Sequence, residues 1–275
     1  MTIKSVAALA YEMEPPVDPP VEPPAEEKSY VIDPDGEVIF LLEDANAPFA
    51  VWDEEKIGKP TPKKSVKKPA KKKIKLDNTK VSSFQWIKLS KIIKRSPVTD
   101  KKQEHIRIQV SAKHLMLASP VLKKTLSGGW KESDIFAKKG SIELVIQDWD
   151  LEAFLLFMRI IHCQHQKMPS KVTLEMLAKI AVIADYYACA DTITFFANLW
   201  IDQLNNDFPT RYSRDLVLWM FVSWYFNKQE QYQKFRSIAM TQSNAPITNL
   251  DLPLPTTELG KLLRSNSFYV FVTNF

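Results

Sequence analysis

The chain is expected to fold as an α+β protein, a small mixed sheet capped by a cluster of helices, with extra helices toward the C-terminal end. Three observations lead there. "HIRIQV" and "SIELVIQD" alternate apolar and polar residues, as half-buried strands do. Around them lie runs with apolar residues three and four apart, each preceded by Ser, Thr or Asp, the residues that cap helices. The most apolar run, "LVLWMFVSWYF" at residues 216–226, falls short of the roughly 20 residues a membrane span needs. It reads as a buried or partner-facing helix.

Residues 1–29 are expected to be a tail. "EMEPPVDPPVEPPAEE", residues 12–27, pairs prolines, which oppose helix and sheet ladders, and its charges are all acidic. The apolar run at residues 6–10 is too short for a secretion-signal core, so a nuclear or cytoplasmic location is expected. Asp33-Pro34-Asp35-Gly36 is turn chemistry, and residues 37–42 read as a short strand. A basic insertion follows at about 53–80. Residues 56–75 contain no acid and include Lys63, Lys64, Lys67, Lys68, Lys71, Lys72, Lys73 and Lys75. Such a block repels itself and cannot build a core. It suits nuclear import, or a non-specific electrostatic tether to nucleic acid. In residues 82–95, Trp86, Leu89 and Ile93 fit one helical face, and strand alternation fits almost as well.

The folded heart begins at His105. Residues 106–110 read as a strand, and Ser111 is placed to cap a helix over 112–117. Ser119 caps a second helix with Pro120 at its first position, where a missing N–H costs nothing. Gly128 and Gly129 end it, supplying a left-handed cap. Residues 142–146 form the next strand. Asp150 caps a helix over 151–162 that is apolar almost all round and is expected at the centre. Thr173 and Asp191 cap two more. A C-terminal extension, residues 206–242, holds a helix pair at 211–226 and 229–240, and residues 243–275 form a partly ordered tail.

Several chemistries are weighed against these placements. "SGGWKES" has glycines, a lysine and a hydroxyl, but its glycines follow a helix, whereas a phosphate loop precedes one. His162, Cys163 and His165, with remote Cys189, match a zinc ligand set by type, yet no paired ligand motif repeats. A histidine at this helix end is expected to be exposed or to serve the helix dipole. The two cysteines, Cys163 and Cys189, are expected to be small buried thiols, and no base stands near either in sequence. No cofactor, metal or catalytic role is expected.

The stretch "IRIQVSAKHLMLASPVLKKTLSGGWKES", followed by "IELVIQDWDLEAFLLFMRIIH", resembles the BTB/POZ domain, and in particular the stand-alone BTB proteins of filamentous fungi. The motif residues are His114, Leu115, Ser119, Pro120, Val121, Asp148, Asp150, Phe154, Leu155 and Ile160. The resemblance covers residues 30–205. It implies a non-enzymatic protein–protein interaction module, an adaptor or scaffold of a cullin-type ubiquitin ligase. In such adaptors the acidic exposed loop after the "SPV" helix carries a hydrophobic residue, any residue, then Glu. Trp130-Lys131-Glu132 matches in place, which makes a cullin the implied partner. Trp130 either points to that partner from a loop tip or folds back on its own domain. The alternative is a nuclear, transcription-associated scaffold using the lysines as a tether. Two departures stand out. The lysine-rich insertion separates strands that usually form a tight hairpin. The acidic tail lies where many dimeric BTB domains carry a partner-sealing helix, so a homodimer stays open.

Overall fold

Val38, Phe40 and Leu42 are buried while Ile39, Leu41 and Glu43 are half-exposed, the period of two that a one-sided strand requires. The computed structural model describes residues 28–53, 105–204, 208–243 and 247–254. Within them the chain runs β1 (Ser29–Val31), β2 (Val38–Glu43), β3 (Ile106–Val110), α1 (Ala112–Ala118), α2 (Pro120–Ser127), α3 (Lys131–Lys139), β4 (Ile142–Gln147), α4 (Leu151–Ile161), a 3-10 turn (His165–Lys167), α5 (Leu174–Tyr186), α6 (Ala190–Leu204), α7 (Arg214–Tyr225) and α8 (Gln229–Gln242). The α+β class is therefore as expected: one four-stranded sheet and eight helices among the described residues.

The sheet order is β1-β3-β2-β4. β2 and β3 are antiparallel, with Val38 opposite Val110 and Leu42 opposite Ile106. β1 runs parallel to β3, and β4 parallel to β2. The insertion thus leaves after β2 and returns beside it, where His105 Nδ1 lies 3.4 Å from Glu43 Oε1. Loop closure grows costly only slowly with length, so the pairing survives the detour. β1 is not apparent in the sequence. It has three residues, and its partner strand begins at Ile106.

α4 is buried on eight of its eleven residues and packs across the sheet, Phe154 meeting Phe40 edge to face at 5.3 Å. α5 packs on α4, and α7 packs on α5. Residues 216–223 of α7 are all buried, so this apolar run is internal. Residues 247–254 return to the core through buried Ile247, Leu250, Leu252 and Leu254. No helix among the described residues is long and apolar enough to cross a membrane.

The caps divide into those that act as expected and those that do not. Ser119, Asp150 and Thr173 accept N–H bonds from Leu122, Ala153 and Met176. Ser111 stands at the N-cap of α1, but its side chain makes no cap bond. Glu37, just before β2, does that work instead, its Oε2 accepting from Ala112 N–H at 3.0 Å. Asp191 lies inside the first turn of α6 and not at its cap, since α6 begins at Ala190. Gly128 ends α2 with φ −97°, and Gly129 supplies the left-handed residue at φ 76°. The segment after them, expected as a loop, is helix α3.

Candidate interaction site

The sequence from Trp130 onward becomes helical because Glu132 and Asp134 fill its first turn and Lys138 and Lys139 its last, charges that suit the helix dipole at both ends. Gly140, at φ 72°, closes it and donates its N–H to Phe136 O at 2.8 Å. Trp130 is the N-cap residue. Its carbonyl accepts from Ser133 Oγ at 2.7 Å, and its indole is half-buried. Lys124 Nζ stands 5.9 Å from the ring centroid, a cation over the π face. Trp130 is therefore neither at a loop tip nor folded into the core. It sits at the α2–α3 corner with Lys131 exposed and Glu132 half-exposed beside it. Ile135, one turn on, is 39% exposed, while Phe136 packs against the core.

The other motif residues support this corner from within. Ser119 is fully buried; its hydroxyl accepts from Leu122 N–H and donates to Tyr187 O at 2.6 Å, tying α2 to the end of α5. Leu115 is buried, Val121 packs at the core edge, and exposed Pro120 opens α2. Asp148 is exposed in a left-handed turn (φ 65°), with its N–H donating to Glu43 O at 3.2 Å.

Asp150 has a second role that the sequence did not suggest. Its Oδ2 accepts from Lys179 Nζ at 2.8 Å, and the same ammonium reaches Glu175 Oε1 at 2.8 Å. Glu175 Oε2 in turn accepts from Arg214 at 2.7 Å, and Arg214 also donates to the carbonyls of Phe49 and Ala50. This chain of alternating charge joins α4, α5, α7 and the segment after β2. Burial would raise the Asp150 carboxyl above its usual range, but the bonds from Lys179 and Ala153 N–H outweigh it and hold it below. The Lys179 bond, with Arg214 beside it, lowers Glu175. Burial would lower Lys179, yet its two carboxylates raise it.

His162 is buried and not exposed; of the two placements expected, the other is closer, since its ring meets a carbonyl in the last turn of α4. Its Nε2 accepts from Ser111 N–H at 2.9 Å and its Nδ1 meets Met158 O at 2.8 Å, which sets the neutral tautomer with the proton on Nδ1. Burial lowers its pKa, and His114, stacked on it at 4.9 Å between centroids, adds to the effect. Both ring nitrogens are thus occupied by backbone, and His162 has none left for a metal. Among the described residues no three His, Cys, Asp or Glu side chains lie together as a metal site. Cys163 is exposed in a left-handed turn at φ 56°, which corrects the expectation that both thiols are buried. Cys189 is buried, and desolvation pushes its thiol up to about 11.

Lys63, Lys64, Lys67, Lys68, Lys71, Lys72, Lys73 and Lys75, along with Trp86, Leu89 and Ile93, lie outside the described residues. No protein-family model matches the chain, and no curated protein does.

Proposed function

We propose that this chain is a non-enzymatic protein–protein interaction module of BTB/POZ type, and that it serves as an adaptor or scaffold for a cullin-type ubiquitin ligase. The observation that carries the reading is the α2–α3 corner. An aromatic side chain is half-buried at a helix N-cap, followed at once by Lys131 and Glu132, with exposed Ile135 one turn further. An aromatic anchor that is already partly ordered loses little freedom on binding, and such anchors carry interface energy. Ser119, Pro120 and Leu115 support the reading, because they anchor the start of α2, the helix that leads into this corner, to the end of α5 and to the core. A non-catalytic role also suits the buried titratable groups. Cys189, Tyr186 and Tyr187 are all pushed up by burial, away from the ionised states that nucleophiles and bases use.

The test is a pull-down with a cullin N-terminal domain. Trp130→Ala is expected to weaken capture by about 30-fold, the scale of a central aromatic anchor, with circular dichroism unchanged. Glu132→Lys, which keeps the indole, is the second variant and is expected to weaken capture too. Full retention by both variants rejects the cullin adaptor.

A further inference from the structure

The face around Trp130 is predominantly basic. α2 and α3 together carry five lysines, Lys123, Lys124, Lys131, Lys138 and Lys139, against two acids, Glu132 and Asp134. All five lysines are exposed. On α3, Lys131, Ile135 and Lys138 follow one another at four- and three-residue steps, so they share one side of the helix, together with Glu132 three residues before Ile135. The result is two accessible apolar residues, Trp130 and Ile135, with a mostly basic rim. Such a face calls for an acidic occupant with small apolar side chains between its charges.

The chain carries one. Residues 12–27 hold six acids, Glu12, Glu14, Asp18, Glu22, Glu26 and Glu27, and no base. Four of these recur every fourth residue: Glu14, Asp18, Glu22 and Glu26 are separated by Pro-Pro-Val, Pro-Pro-Val and Pro-Pro-Ala. At the rise per residue of a polyproline helix, a four-residue repeat would set its carboxylates about 12 Å apart. Lys131 and Lys138, seven residues apart on a helix, are separated by about 10 Å along the axis. Length also allows the contact. Residue 27 immediately precedes the described chain, and β1 lies on the sheet edge opposite β4. Crossing three strand spacings and the length of a strand takes about 30 Å, whereas sixteen extended residues reach about 50 Å.

We infer that the acidic proline-rich segment at residues 12–27 docks on the basic α2–α3 face of its own chain and covers Trp130, competing there with the partner. This rests on the reading of that corner as the partner-binding site. The lysines of the face are already held by two helices, so pairing with them orders only the tail. The same chain's lysine run at 56–75 is the rival site for the acidic segment, but it lacks an aromatic centre like Trp130. Nucleic acid suits the face less well, because Lys124 already lies over the indole on which a base would stack.

The test labels lysines of the full chain with a water-soluble acetylating reagent at low salt and reads each site by mass spectrometry. The comparison is with a full-length variant carrying Glu14→Gln, Asp18→Asn, Glu22→Gln and Glu26→Gln. Labelling of Lys131, Lys138 and Lys139 is expected to rise several-fold in the variant, and equally in the wild type at high salt. Unchanged labelling overturns the inference. So does a rise confined to Lys71, Lys72 and Lys73, which assigns the tail to the lysine run. Protection that grows with protein concentration assigns it to a second copy and overturns docking within one chain. No cullin enters the measurement, so its failure is distinct from failure of the adaptor reading. If both hold, the neutralised variant captures more cullin domain than the wild type.

Discussion

Two joints hold distant parts of this chain together, and they rest on opposite physics. One is ionic: Asp150, Lys179, Glu175 and Arg214 run in alternating charge from α4 through α5 to α7, ending on the carbonyls of Phe49 and Ala50. The other is neutral: His162, at the end of α4, takes Ser111 N–H on one nitrogen and meets Met158 O with the other. Both close contacts between residues far apart in sequence. The ionic joint is half-exposed at Glu175 and works because every charge has its opposite. The neutral joint is buried and works because it carries no charge at all. They should therefore fail in different windows of pH and salt.

The largest expected effect is at Arg214. Arg214→Met keeps bulk but strips partners from two carbonyls and from Glu175, and should cost about 3 kcal/mol by urea denaturation. A loss below about 1 kcal/mol would show the ionic joint to be ornamental. His162→Phe comes next. It retains a ring against His114 but leaves Ser111 N–H without its acceptor, at a cost of about 2 kcal/mol at pH 7.5.

The acid response separates the two joints. The folded His162 sits below its ordinary value of 6.5, so the unfolded chain takes up the proton first. Its contribution is complete above about pH 6.5 and drains away as pH falls beneath that. Asp150 and Glu175 are held below 3.8 and 4.5, so theirs is complete above those values and is lost only under stronger acid. A stability profile of the wild type should thus show two steps, and His162→Phe should erase the upper one alone. One step in both proteins would break the distinction.

A smaller effect is expected from Asp150→Asn. The amide oxygen still caps α4 while the charge facing Lys179 is gone, a loss of about 1 kcal/mol that shrinks in 1 M salt. The smallest belongs to Leu117→Ser. Leu117 is 88% exposed on α1 and joins neither system, so the unfolding free energy from urea denaturation should change by no more than about 0.5 kcal/mol.

The joints also show what was legible in the sequence and what was not. Asp150 and Thr173 were readable as caps because a cap bond reaches three residues along the chain. The pairing of Asp150 with Lys179 was not, since a carboxylate does not announce a partner on another helix. His162 looked like an exposed end-of-helix residue until Ser111, 51 positions earlier, came beside it. β1 was invisible for the same reason: Ser29–Val31 has too few residues to display a period, and pairing alone makes it a strand. α3 was missed because "KESDIFAKK" is so polar that its turn-by-turn pattern rests on Ile135 and Phe136 alone. At the interaction corner, the sequence picked out Trp130, Lys131 and Glu132. It did not reveal that they open a helix with Lys124 laid over the indole. The element it read best, α4, is buried on so many sides that local pattern and final environment coincide.

The strand order carries a consequence for how the molecule is made. β1 and β2 are adjacent in the chain but never touch as strands, because β3 lies between them. On a ribosome, both emerge long before the strand that will separate and bridge them. Until residues 106–110 appear, the newborn chain holds two future strands whose backbone donors and acceptors are unclaimed, the condition under which neighbouring chains are most apt to pair wrongly. Synthesis reaches residues 12–27 and 54–104, rich in charge and proline, on either side of that vulnerable pair. Charge and proline are the devices that discourage strand-to-strand association. Segments of that composition give an open strand edge little to pair with while the third strand is still to come.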